Sequence, residues 1–152
     1  MTITDGKPYL EQVRTLILEY THWLGRDLSF QNLDDELADI ASKYTAPAGE
    51  LLVGVDDDGN VQGMVAYHRL SDSRCEMKRL YVRPDCRGAH LGRQLAEAII
   101  AHAKAAGYSE MVLDTIAPLT SAITLYKKLG FTECAPYYDN PMDDVIYMRK
   151  EL

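Results

Sequence analysis

The spacing of apolar residues changes near Leu51, and this change constrains the fold more than any other feature. Before it, apolar residues recur every three or four positions. That spacing predicts an amphipathic helix after Pro8 that ends at Gly25, and a second helix from about Asn32 to Tyr44. After it, short apolar runs alternate with turn residues, which is typical of strands. The chain is therefore predicted to place two helices before a sheet.

The second part of the chain predicts a hairpin followed by alternating strands and helices. An Asp-Gly turn separates the first two strands, because this pair supplies the positive φ angles of a tight turn. The predicted strands are 51–55, 61–70, 75–82, 111–115, 131–135 and 145–148, and the predicted helices are 90–106 and 118–129. This order favours one α/β domain with a mixed sheet.

Length and composition limit the class of protein. A chain of 152 residues is expected to form a single domain, residues 1–152. Its three cysteines lack paired spacing and are expected to be reduced thiols, which favours a cytoplasmic location. We recognise neither a signal peptide nor an apolar run long enough for a membrane span. The net charge of −7 argues against nucleic-acid binding, and a homodimer is left open.

A basic segment interrupts this acidic chain. Five bases and one acid lie between Lys78 and Arg93. They suggest a small anionic ligand, but on charge alone a solvated surface with ordinary charge scatter is the favoured interpretation. Within the segment a strand ends, a loop with Arg87 and Gly88 follows, and a helix opens near Gly92. Free N–H groups at a helix start bind phosphate, so a pyrophosphate site is predicted. The alternative is a tight turn without a ligand.

Two motifs in the expected order carry a resemblance to a known family. The first is Arg87-Gly-Ala-His-Leu-Gly92, and the second is Leu125-Tyr-Lys-Lys-Leu-Gly-Phe131 with Ala122 before it. Together they resemble the GNAT N-acetyltransferase superfamily. The chain departs from the family pattern at His90, where glycine is usual, and at Leu119, where asparagine is frequent.

The resemblance implies a fold and a coenzyme. The sheet would be mixed and largely antiparallel, with a central parallel pair of strands that splay apart and helices on both faces. Acetyl-CoA would bind in that opening, with the backbone of Leu80 and Val82 along its pantetheine arm. The family's first strand is expected to be reduced to Thr2–Thr4 or absent. The predicted pyrophosphate contacts are Arg87, Gly88, Ala89, His90, Leu91, Gly92 and Arg93.

The resemblance also implies direct attack of an amine on the thioester, with no acyl-enzyme. Tyr126 matches the family tyrosine that protonates the departing thiolate; the alternative is a residue that packs its helix on the sheet. A backbone N–H on the splayed strand would stabilise the oxyanion.

Strand alternation suggests a general base. It places Glu76, Lys78, Leu80 and Val82 on one face, where Glu76 is the only carboxylate and the candidate base. An ion pair between Glu76 and Lys78 or Arg79 is an equal alternative.

For the other reactive side chains the sequence predicts no catalytic or metal-binding role. Cys75 alternates to the opposite face from Glu76, so we expect a buried apolar residue and no acyl-cysteine. The histidines lack ligand spacing, so no metal is expected. His90 is expected to lie in the first helical turn with negative φ.

The acceptor is the least constrained part of the prediction. The family's acceptor walls correspond to Tyr20, Trp23, Arg26, Asp27 and Phe30 on one side and to Tyr137, Tyr138 and Asn140 on the other. These residues suit a small polar acceptor or simple packing. The predicted function is transfer of acetyl from acetyl-CoA to a primary amine of a small molecule or amino acid. The alternatives are acetylation of a protein lysine or N-terminus, and an acyl-CoA-binding regulatory domain without turnover.

Overall fold

The computed structural model describes residues 1–26, 33–88 and 90–152. Within these ranges seven strands form one sheet in the order β1-β2-β3-β4-β5-β7-β6, and every neighbouring pair is antiparallel except β4 and β5. This confirms the mixed, largely antiparallel sheet with a central parallel pair. The strands are β1 (Thr2–Asp5), β2 (Gly49–Val55), β3 (Val61–Arg69), β4 (Arg74–Val82), β5 (Glu110–Ile116), β6 (Thr132–Glu133) and β7 (Val145–Glu151).

Five α-helices are described, and they lie within the four predicted helical segments. They are α1 (Leu10–Leu24), α2 (Leu33–Ala38), α3 (Ile40–Tyr44), α4 (Leu91–Ala105) and α5 (Thr120–Lys128). The left-handed φ of 68° at Gly25 ends α1 as predicted. The single helix predicted over 32–44 is wrong, because Asp39 leaves the helical region and its carboxylate accepts a bond from the Ser42 N–H to begin α3. The Asn32 cap lies outside the described residues.

Apolar side chains pack on both faces of the sheet. One core contains Val13, Leu16 and Ile17 of α1 with Ile40 and Tyr44 of α3, and the other contains Leu95 and Ile99 of α4 with Tyr126 of α5. Helices therefore cover both faces, as predicted. No helix in the described ranges is long and apolar enough to cross a membrane.

The two edges of the sheet differ from their predicted lengths. At one edge β1 pairs with β2 from Thr2, opposite Val55, to Asp5, opposite Leu52, so the short N-terminal strand is present. At the other edge β6 keeps only Thr132 and Glu133 of the strand predicted over 131–135.

Candidate active site

The parallel strands β4 and β5 pair over only three positions and then separate. Arg74, Cys75 and Glu76 lie opposite residues 110–112, and no further pair joins the two strands. Beyond this point residues 77–82 and 113–116 line a cavity of about 440 Å³ that α5 borders. Strand edges without a neighbour carry backbone donors and acceptors that need partners, and an extended ligand with amides can supply them. The opening can therefore take an extended ligand that carries amide groups.

A bulge in β4 at Arg79 and Leu80 changes the direction of the strand's side chains. The register between β3 and β4 shifts between Met64 and Ala66, and Arg79 has a left-handed φ of 59°. A bulge inserts one extra residue, so the alternation of faces reverses past it. Strand alternation alone cannot therefore place residues on both sides of Arg79 on one face.

The side-chain contacts show the consequence of this bulge. Leu80 and Val82 pack against the core on the α4 side, while Glu76 bonds to residues on the opposite face. The predicted common face for Glu76, Lys78, Leu80 and Val82 is therefore wrong.

A buried ion pair holds the bulge from the face of the sheet that α1 and α3 cover. The Arg79 guanidinium donates two bonds to Glu36 of α2, from Nε to Oε2 at 2.8 Å and from Nη2 to Oε1 at 3.0 Å. The Tyr44 hydroxyl donates to the same carboxylate at 2.8 Å, and Lys43 lies 3.1 Å away. Burial alone would raise the pKa of Glu36, but these partners outweigh it and lower the pKa to about 2.

Tyr126, the predicted proton donor, lies in the opening between β4 and β5. It belongs to α5, lines the cavity between the splayed strands, and packs edge-on against Phe131 at 5.9 Å between ring centroids. Burial raises its pKa, and the nearby Tyr20 and Asp114 raise it further. The phenol therefore keeps its proton at neutral pH and can donate it. The packing role and the acid role are both compatible with this position.

Asp114 is a site residue that the sequence analysis missed. It lies on β5 and is the one carboxylate among the described residues that line this cavity. Its Oδ2 accepts bonds from the Tyr138 hydroxyl and from Asn140 Nδ2, the latter at 3.2 Å. A carboxylate among the mostly apolar residues in the middle of the strand Glu110–Ile116 was the available signal for it.

Glu76 lies in a different environment from the one predicted for a base. It lines a second cavity of about 740 Å³ with Lys78, Tyr137 and Tyr138, and it is absent from the lining of the first. His68 Nε2 bonds to Oε1 at 2.6 Å, the Tyr137 hydroxyl donates to Oε2, and Lys78 lies 3.8 Å away. The ion-paired alternative with Lys78 is therefore present in the structure.

The protonation of Glu76 follows from these partners. Burial would raise the pKa of this carboxylate, but the His68 bond, the Lys78 charge and the Tyr137 bond lower it to about 2. Glu76 is thus ionised at neutral pH, but it is weakly basic and both of its oxygens are engaged.

Cys75 packs as the sequence predicts. It is fully buried in the core on the α4 side, on the face opposite Glu76. Burial raises the pKa of its thiol to about 12, so the nucleophilic thiolate is scarce. The part of the chain that the structure describes brings together no group of three or more histidine, cysteine or acidic residues that could hold a metal ion.

The predicted pyrophosphate site, the loop before α4 and the first turn of that helix, has an open backbone at its two glycines. Gly88 has a φ of 90°, and a Cβ placed there would meet nothing within 4 Å, so the backbone is open to a ligand. Gly92 is similarly open, with only a Val82 methyl at 3.7 Å. Leu91 points inward and is buried in the core. Ala89 lies outside the described residues.

His90 adopts a conformation that the sequence analysis did not predict. It precedes α4 with φ 62° and ψ 16°, in the left-handed region, and its side chain does not cap the helix. The expected negative φ within the first turn is therefore wrong. The family's glycine at this position has a backbone reason, because L-residues pay a steric penalty there.

The two arginines of the loop differ in their contacts. Arg87 donates from Nε to the Val82 carbonyl at 3.1 Å, and its guanidinium lies over Trp23 at 4.8 Å from the ring centroid. Arg93 pairs with Glu97 one helical turn later at 2.8 Å, and both side chains are about half exposed. Arg87 thus borders the cavity, whereas Arg93 lies outside its lining.

Only some of the residues predicted to form the acceptor walls line this cavity. Tyr20 and Trp23 of α1 and Asn140 line it, while Tyr137 and Tyr138 line the second cavity. Arg26 binds Asp144 through two bonds of 2.9 and 2.8 Å and so ties the end of α1 to the loop before β7. Asp27 and Phe30 lie outside the described residues.

Comparison with known proteins identifies the family of this chain. The profile of the acetyltransferase (GNAT) family matches residues 12–131. An uncharacterised N-acetyltransferase of Schizosaccharomyces pombe is 48% identical over 144 residues, which cover 94% of this chain and 88% of that protein. A second uncharacterised N-acetyltransferase, from Dictyostelium discoideum, is 28% identical over 99% of this chain and 98% of its own.

Solved structures show the same fold. A GNAT-family acetyltransferase of Staphylococcus aureus superposes with a TM-score of 0.82 at 21% identity, over 99% of this chain and 98% of that one. An aminoglycoside 6'-N-acetyltransferase complexed with coenzyme A superposes with a TM-score of 0.73 at 16% identity, over 99% of this chain and 97% of that one. The chain belongs to the GNAT acetyltransferase family and is an acetyl-CoA-dependent acyltransferase.

Proposed function

We propose that the protein transfers an acetyl group from acetyl-CoA to the primary amine of a small molecule by direct attack. The observation that carries this proposal is the cavity between β4 and β5, which Tyr126 of α5 and Asp114 of β5 both line. A carboxylate in this cavity can take the proton of the ammonium, and a proton donor can supply the proton that the departing thiolate needs.

The donor side of the site would hold the coenzyme by its backbone. The unpaired stretch of β4, at Leu80 and Val82, offers peptide groups to the pantetheine amides. The N–H groups from Arg87 to Arg93 would hold the pyrophosphate, helped by the positive end of the α4 dipole. Acetyl-CoA supplies an activated acyl carbonyl and a thiolate leaving group.

The acceptor side would hold the amine and remove its proton. Asp114 attracts the ammonium form and accepts its proton, which frees the nitrogen lone pair to attack the thioester carbonyl; nitrogen loses its second proton to solvent when the tetrahedral intermediate collapses. Tyr126 donates its proton to sulfur as the C–S bond breaks, and solvent restores both groups. A backbone N–H at the Arg79–Leu80 bulge would stabilise the oxyanion, because a bulge leaves an N–H outside the strand ladder.

The role of Glu76 as general base stays a prediction. Its low pKa and its engaged oxygens give it little capacity to take a proton from an amine. We therefore favour Asp114 for this step. The single domain, the cytoplasmic location and the oligomeric state also stay predictions.

The test is product formation from defined acceptors. Purified protein is incubated with acetyl-CoA and a panel of small amines, amino acids and basic peptides, and CoA thiol release is measured together with the mass of the acetylated product. We expect acetylation of small amines. Acetylation of the peptides alone would assign the protein to protein acetylation, and acetyl-CoA binding without any product would indicate a regulatory domain.

A further inference from the structure

The charges around the cavity indicate which amines the site accepts. Among the described lining residues the cations are Lys78, Arg79 and Arg87, and the one anion is Asp114. Arg79 is bound by Glu36, and Lys78 lies 3.8 Å from Glu76. These two cations are thus matched to carboxylates that lie outside the cavity lining.

Among the described residues Asp114 forms no ion pair, although the charge of Lys78 in the same lining acts on it at longer range. Its two described hydrogen-bond donors, Tyr138 and Asn140, are neutral, and no described lysine, arginine or histidine forms an ion pair with it. Its Oδ1 accepts no bond from a described residue and is not a buried, unsatisfied atom. A partly buried carboxylate whose hydrogen-bond donors are all neutral keeps its negative charge uncompensated at close range. A cationic ligand would stabilise it.

The rest of the acceptor side is aromatic. The rings of Tyr20, Trp23 and Tyr81 contact one another with centroids 5.8 to 6.4 Å apart, and all three line the cavity. The Arg87 guanidinium already lies over Trp23 and over Tyr81 at 5.7 Å. Arg79 likewise lies over the Tyr20 ring at 6.0 Å, so the faces of all three rings already have a cation and the cluster offers apolar surface for the body of an acceptor.

We propose that the acceptor is a primary amine with an apolar or aromatic body and no carboxylate beside the amino group. This inference rests on the proposed function and narrows it. An α-amino acid would bring its carboxylate to within a few ångströms of Asp114, where like charges repel. A simple amine avoids this repulsion and pairs its ammonium with Asp114 while its body packs on the aromatic cluster.

Matched pairs of acceptors test the proposal directly. Phenethylamine is compared with phenylalanine, tyramine with tyrosine, and isoamylamine with leucine, since each pair differs by one carboxylate. We expect kcat/KM for the amine to exceed that for its amino acid by on the order of 100-fold, because a like-charge juxtaposition costs several kcal/mol. Equal or greater activity on the amino acids would overturn the proposal and leave the acetyltransferase function intact.

Variants identify the group responsible. Asp114→Asn should lower kcat/KM for the amines by at least about 100-fold, because the charged bond to the ammonium and the proposed base are both lost, and should shrink the preference over amino acids. Asp143→Asn is the matched control, since Asp143 is exposed in the same loop as Asn140 and does not line the cavity. A preference that survives Asp114→Asn unchanged would contradict the assignment.

A binding measurement tests the proposed acceptor class independently of catalytic turnover. Trp23 is the only tryptophan of the chain, so its fluorescence reports on the cavity alone. With CoA saturating, wild type should bind phenethylamine more tightly than phenylalanine, and Asp114→Asn should lose that difference. If turnover is absent but this preference is present, the proposed reaction fails and the acceptor class stands; no preference in wild type would refute the acceptor class.

Discussion

Replacing Glu36 by glutamine tests the buried ion pair that fixes the β4 bulge. The Glu36 and Arg79 side chains are 1% and 3% exposed, so the variant leaves a buried guanidinium without its counter-charge. Removing one partner of a buried pair costs about 3–5 kcal/mol of unfolding free energy. The pKa of Glu36 gives a similar magnitude. Its lowering from 4.5 to about 2 corresponds to about 3 kcal/mol, since a tenfold change is about 1.4 kcal/mol.

The assay is urea unfolding with linear extrapolation, compared with Glu19→Gln. Glu19 pairs with Arg83 at 2.9 Å, but these side chains are 36% and 29% exposed, so this control should lose less than about 1 kcal/mol.

The difference between wild type and Glu36→Gln should also depend on pH. Because the folded pKa lies below 4.5, the carboxylate's contribution is complete above that pH and disappears as the pH falls through about 2. Equal losses in Glu36→Gln and Glu19→Gln at neutral pH would refute the reasoning.

Three further substitutions test single residues. His90→Gly should raise the unfolding free energy by about 0.5–1 kcal/mol by relieving the left-handed φ, whereas His90→Val should lower it; a loss in both would contradict this conformation. Tyr126→Phe should lower kcat by about ten- to a thousandfold while CoA affinity by calorimetry stays the same; full turnover would remove Tyr126 from the mechanism. Glu76→Gln should keep the shape of the kcat/KM profile between about pH 5 and 9 and lower the melting temperature, because the low pKa makes it a structural anion. Loss of the acidic limb would instead restore Glu76 as the base.

Local patterns predicted most elements of this fold. The Asp-Gly turn, Gly25 at the end of α1 and the two family motifs each depend on residues close in sequence. The structure places Tyr126 and Arg87, one residue from each motif, in the lining of one cavity. The core face of Cys75 also followed from alternation near the start of β4.

Features that depend on distant partners could not be predicted. The bulge at Arg79 is held by Glu36, 43 residues away, and it reverses the faces of Leu80 and Val82. Asp114 gains its importance from Tyr138 and Asn140, which a loop brings to β5. Neither contact leaves a periodic signal in the sequence.

Initial-velocity kinetics test the central claim most directly, because the account requires acetyl-CoA and the amine to occupy the cavity between β4 and β5 together. Rates are measured while phenethylamine, or whichever acceptor proves active, is varied at several fixed acetyl-CoA concentrations. Direct attack predicts double-reciprocal lines that intersect, and intact protein that carries no acetyl group after incubation with acetyl-CoA alone. Parallel lines together with an acetylated enzyme, at Cys75 or elsewhere, would contradict the account.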